Sequence, residues 1–110
     1  MDVEQKQQWI TGEEIGRENR RLIEAGIPDD APEFQELIAR VTDRDNDLYE
    51  RYGKSYLDTH RGKWIAISLD GQVIIRATAG EVTWAAGEAF GDGNYAKRKL
   101  AEFPGHELFR

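Results

Sequence analysis

Two histidines, His60 and His106, are the first residues whose types could do chemistry, because each has a carboxylate beside it, Asp58 and Glu107 respectively. Two imidazoles and a carboxylate could bind a divalent metal, and a lone Asp58–His60 pair could support acid–base hydrolysis. The two histidines stand 46 residues apart, without a third and without the i, i+4 spacing of a helical zinc motif, so no metal site is assigned. Asp43, Asp45 and Asp47 alternate as in a calcium loop, but Leu48 and Lys54 occupy the positions where such a loop needs glycine and a bidentate glutamate. They read instead as a solvated helix face or helix start. The only serines, Ser55 and Ser68, lie in no nucleophile elbow, and the chain has no cysteine, which excludes disulfides, thiol nucleophiles and thiolate metal sites.

The glycines of Gly91-Asp92-Gly93-Asn94 lead into a strand-like run with no Gly-Lys-Ser/Thr after them, so they make a turn and not a phosphate cradle. Arg76, Lys97 and Lys99 form a weak basic patch with Tyr95 nearby, the composition that single-stranded RNA would use. Strand alternation sends Arg98 to the opposite face, which halves the patch, and nucleic acid is not the expected partner. Large apolar groups say more. Trp84 sits among the small Ala85, Ala86 and Ala89, and with Trp9, Phe103 and Phe109 it supplies more apolar surface than a small sheet can cover; Leu22 lies with Ile15 and Ile23 on a narrow apolar stripe of a charged helix, which suits one-sided packing against a partner. These five residues are the candidate partner-binding set.

Composition limits the rest. At 110 residues the chain forms one domain with an appended helical arm at most. Its charge is uneven: residues 1–60 carry net −7 and residues 61–110 net +1. An acidic half repels phosphate and suits a basic protein partner. No basic segment precedes an apolar one at the start and no 18 apolar residues run together, so a cytoplasmic, membrane-free location is expected.

The elements that must position these residues are organised around Arg61 to Phe90. Trp64 to Leu69 and Gln72 to Ala77 favour strands, and Asp70-Gly71 between them predicts a type I′ hairpin. Thr78 and Glu81 form a capping box that opens a helix near Ala79, closed near Phe90 with Gly91 as a left-handed cap. Upstream, Thr11 and Glu14 open a helix from about Gly12 to Ala25, with Ile10 stapled onto Ile15 and Gly26 closing it. Asp30 is expected to cap a second helix whose apolar positions Phe34, Leu37, Ile38, Val41, Leu48 and Tyr52 run to Tyr52, with a break near Thr42 and Asp43 as the alternative. Tyr56 and Leu57 suggest a short turn against the sheet. Tyr95 to Leu100 reads as a third, edge strand whose lysines deter pairing, and Pro104-Gly105 as a turn in the tail.

At this level the residues resemble a known pattern. Asp47 to Ile74, DLYERYGKSYLDTHRGKWIAISLDGQVI, with Phe90 to Leu100, FGDGNYAKRKL, is similar to a family of short prokaryotic proteins catalogued as a domain of unknown function. Its members carry Tyr-Gly-Lys at the end of a helix, then His-Arg-Gly-Lys-Tyr/Trp-Val/Ile-Ala-Ile, an Asp-Gly hairpin, and Gly-Asn-Tyr/Phe-Ala before a last strand. The resemblance covers about half the chain and implies no activity. The layout also resembles HicB-like antitoxins, which implies a small regulator that masks a toxic partner.

The expected fold is therefore α+β: an acidic arm of two helices over residues 1–53, then a β-β-α-β unit with a small, mainly antiparallel sheet and a tail over residues 54–110. The expected function is a non-enzymatic interaction or assembly module, binding a protein partner or a second copy and using no cofactor. An antitoxin-like regulator and a small hydrolase or metal-dependent enzyme at Asp58 and His60 are the alternatives.

Overall fold

The structure, a computed structural model, describes residues 9–101. It is an α+β fold in three layers. The elements run α1 (Gly12–Glu24), α2 (Pro32–Leu48), β1 (Trp64–Ser68), β2 (Val73–Arg76), α3 (Ala79–Phe90) and β3 (Tyr95–Lys99). The strands make one antiparallel sheet in the order β2-β1-β3, so the strand after α3 returns beside β1.

Alternation along β1 builds two cores. Ile65 and Ile67 point to one face and pack with Leu48, Ala96 and Leu100, while Ala66 points to the other and packs with Val82 and Ala86. Leu48, Ile65, Ile67 and Leu100 are essentially water-free, and each contributes roughly 1.5–3 kcal/mol of burial. The first face is covered by α2, against which α1 packs, and the second by α3. The boundary at residues 53/54 therefore runs through a shared core, since Leu48 from the helical half packs directly among the strands.

The capping chemistry holds at two of three helices. Thr11 and Glu14 exchange the reciprocal bonds of a capping box, at 3.1 and 2.9 Å; at Thr78 only half of the expected box forms, its hydroxyl accepting from the Glu81 amide at 3.1 Å without the return bond from the Glu81 side chain. The cap of α2 differs: Ala31, not Asp30, is the capping residue, because Pro32 with its fixed φ takes the first helical position. No break occurs at Thr42 or Asp43. The helix instead continues through a π-helical turn, Tyr49–Gly53, into a 3-10 turn, Lys54–Tyr56. Gly53 is a packing requirement, since a Cβ there would stand 2.8 Å from Ile67 Cδ1 and from Tyr49 Cδ1. Tyr56 and Leu57 pack against the Leu48 core, as the turn reading expects.

The hairpin is correct in place and different in kind. No residue other than glycine has positive φ, so Asp70 does not enter the type I′ region. The Gly71 amide donates to Ser68 O at 3.0 Å and the Ser68 amide to Gln72 O at 2.8 Å, which makes a three-residue loop with Gly71 at φ +92 as a bulge. Ser68 explains the choice. Its hydroxyl donates to Asp70 Oδ1 and accepts from the Gln72 amide at 2.9 Å, bracing the longer loop. Gly91 likewise has positive φ, +94, but with ψ 147 it is not in the left-handed helical well.

Candidate interaction surface

The inner face of α3 carries small residues because the helix lies close on the sheet: Val82 and Ala86 are fully buried on Ala66. Trp84, about 200° around the helix from each, points the opposite way and is 70% exposed, the largest exposed apolar side chain among the described residues. Thr83, Gly87, Glu88 and Asp92 surround it in a shallow depression with an acidic side. Ile23 and Ile38 are also more than half exposed on the outer sides of α1 and α2.

The other predicted partner residues fare differently. Leu22 is only 4% exposed, buried where α1 meets α2, and is spent on the chain's own packing. This corrects its assignment to a partner surface: the stripe on α1 is narrow because it covers α2. Trp9 is half-buried against the Leu48 core and also lines an open depression of about 900 Å³ at the hairpin end of the sheet, with Arg51, Tyr52, Asp70, Phe90 and Asn94. Phe103 and Phe109 lie outside the described residues, as do His106, Glu107 and the Pro104-Gly105 turn.

Strand register brings the basic residues together. Arg76, Trp64 and Lys99 are directly opposite one another across β2, β1 and β3, and Lys97 stands one row on, on the same face. Lys97 Nζ lies 5.9 Å from the Trp64 ring and donates to Thr83 Oγ1 at 2.9 Å. Arg98 points to the other face, stacked 4.5 Å from the Tyr49 ring and donating to Asn46 Oδ1 at 2.7 Å. The patch is thus three cations around a half-buried tryptophan.

The residues weighed for catalysis are engaged with their own neighbours. His60 Nδ1 is 2.8 Å from Thr59 Oγ1, its ring meets Tyr56 edge-on, and Asp58 pairs with Arg61 at 3.1 Å. Among the described residues no three histidine or carboxylate groups converge as a metal set. Ser68 is a turn brace, and its hydroxyl with the Gln72 side chain holds the Asp70 carboxyl below its ordinary value.

Sequence reading missed Arg44. Only 2% exposed, it donates from Nη1 to Ile10 O at 2.7 Å and Gly93 O at 2.9 Å, from Nη2 to Tyr95 O at 3.4 Å, and from Nε to Asp45 Oδ1 at 2.9 Å. One guanidinium thereby ties the start of α1 and the α3–β3 loop to α2. Asn94 adds to the clasp, accepting from the Gly12 amide at 2.6 Å and donating to Phe90 O at 3.1 Å. Gly12 and Gly93 touch backbone to backbone; a Cβ on Gly12 would fall 1.9 Å from Asp92 O. The signal was present: Phe34, Leu37, Val41, Arg44 and Leu48 share one helical stripe, so Arg44 occupies a core position within what reads as a polar interruption. Asp45 is half-buried beside it, and burial raises its carboxyl above the ordinary value although the Arg44 bond opposes this.

Among the described residues no helix is long and apolar enough to cross a membrane. No protein-family model, curated protein or solved structure matches the chain.

Proposed function

We propose that the chain is a non-enzymatic interaction module whose α3 outer face receives a protein partner on Trp84. The observation that carries this reading is the 70% exposure of Trp84 on a helix whose inner face is already satisfied. A tryptophan in water forgoes the largest apolar burial any side chain offers, and tryptophan is enriched among the anchors of protein interfaces. Glu88 and Asp92 at its side favour a partner with an apolar pocket and a lysine- or arginine-bearing rim.

Affinity capture from the source lysate, with the captured material identified by mass spectrometry and quantified against the bait, tests the reading. A stoichiometric protein that is retained by wild type and lost by Trp84→Ser, with the circular dichroism of the two chains superimposable, supports it. Equal recovery on both chains, or no stoichiometric protein on either, counts against it.

A further inference from the structure

The two outer strands of the sheet are finished differently. β3 presents Lys97, Arg98 and Lys99, charges that resist the approach of another strand, and its Tyr95 carbonyl is taken by Arg44. β2 presents Val73, Ile74 and Ile75, all only partly buried, and among the described residues no strand lies beyond it. The Ser68–Gln72 backbone bond fixes which groups face inward. Gln72, Ile74 and Arg76 point their amides and carbonyls at β1, and Val73 and Ile75 point theirs away from it. The outward Ile75 carbonyl already accepts a hydrogen bond at 2.8 Å, from the guanidinium of its own neighbour Arg76.

We infer that β2 is a dimerisation edge, pairing antiparallel with β2 of a second copy to give a continuous six-stranded sheet. With Ile74 on the twofold axis, Val73 of each copy faces Ile75 of the other, and four outward backbone groups on each strand are satisfied at once. The same register sets Arg76 opposite Gln72 of the second copy, beyond which lies the hairpin loop with the exposed Asp70 carboxylate, held by the Ser68 hydroxyl and the Gln72 side chain. The hairpin edge is therefore self-complementary in charge, with Arg76 at the end of the strand and Asp70 in the loop that precedes it, as an isologous interface requires. Arg76 exchanges its bond to Ile75 O for the Asp70 carboxylate of the second copy, and Ile75 O receives the Val73 amide of that copy. This surface is separate from Trp84 and does not rest on the reading given to it.

Light scattering with amide hydrogen exchange on the full chain tests the inference. Wild type should run at twice the 12.6 kDa chain mass, and the Val73 and Ile75 amides should be protected in concentrated solution and lose protection on dilution. Arg76→Glu and Asp70→Lys should each weaken self-association by roughly tenfold or more, whereas their equimolar mixture, in which every Arg76–Asp70 contact is again between opposite charges, should recover the dimer. Trp84→Ser should leave it intact. A wild-type monomer with freely exchanging Val73 and Ile75 amides overturns the inference, as does a dimer in which those amides stay unprotected. Protection independent of concentration in a monomer overturns it too, since another segment would then hold the edge. Protection that appears only with a different protein assigns the edge to that protein. Should Asp70→Lys disturb the hairpin, the wild-type exchange data and Arg76→Glu decide alone.

Discussion

The two faces of the sheet solve opposite problems. On the α2 side a full positive charge, Arg44, is drawn into the interior and satisfied by three backbone carbonyls and a carboxylate, while on the α3 side the fully buried residues are the small Ala66, Val82 and Ala86, ringed by Trp64, Ile74, Phe90 and Tyr95, and Trp84 is left in water. The first arrangement uses polar chemistry to hold the chain together. The second leaves apolar chemistry unused by the fold. In this molecule, then, the buried charge is structural and the exposed tryptophan is the candidate for function, the reverse of what residue type alone suggests.

Breaking the α2 side should have the larger effect on stability. Arg44→Met fills much of the same space but leaves the Ile10, Gly93 and Tyr95 carbonyls and the half-buried Asp45 without their donor, and should lower unfolding free energy by about 3 to 5 kcal/mol in urea melts. A loss under about 1 kcal/mol would mean that water replaces the guanidinium and that the clasp is peripheral. Next in size is Gly93→Ala. Its φ of +79 and the 2.7 Å approach of a Cβ to Gly12 Cα combine backbone strain with overpacking, for an expected loss of about 2 to 4 kcal/mol by the same measurement.

These residues also show how far the sequence could be read. Local signals were legible: Thr11 and Thr78 cap their helices, α2 runs long, and the hairpin turns at Asp70-Gly71. Each depends on chemistry within a few residues. What escaped depends on contacts between distant segments. Ser68 reads as an ordinary strand residue until its hydroxyl is seen to choose a three-residue loop, and Leu22 reads as spare apolar surface until α2 covers it. Arg44 hid because a charge within a polar run resembles a solvated helix face, and only the carbonyls of Ile10, Gly93 and Tyr95, distant in sequence, make its burial affordable. Trp84 stood out in the sequence as surplus apolar surface among small residues, whereas its exposure on the outer side of α3 comes from the packing of Val82 and Ala86 onto the sheet.

On the α3 side the contrast is sharpened by a change that should do nothing to the fold. Trp84→Ser removes an exposed ring whose helix is anchored by Val82 and Ala86, so the unfolding free energy from urea melts should stay within about 0.5 kcal/mol of wild type even where partner binding is lost. A drop of about 2 kcal/mol or more would show the ring to be packed in solution and would transfer Trp84 to the structural side of the comparison.

The smallest effect tests whether the Arg44 clasp is optimal. Asp45 accepts the Arg44 Nε bond, yet its carboxyl is raised by burial, so the native state holds the Asp45 proton more tightly than the unfolded chain does. Its contribution to stability must therefore fall as pH rises from the unfolded pKa through the folded one, and near neutral pH the ionised group is a small liability. Asp45→Asn keeps an oxygen for Arg44 and removes the charge. It should raise the urea midpoint slightly near neutral pH, with the difference from wild type closing at about pH 3, where Asp45 is itself protonated in both states. A lower midpoint at neutral pH that recovers on acidification would reverse the sign: the ion pair with Arg44 would then outweigh desolvation, and the clasp would be held by charge as well as by its backbone carbonyls.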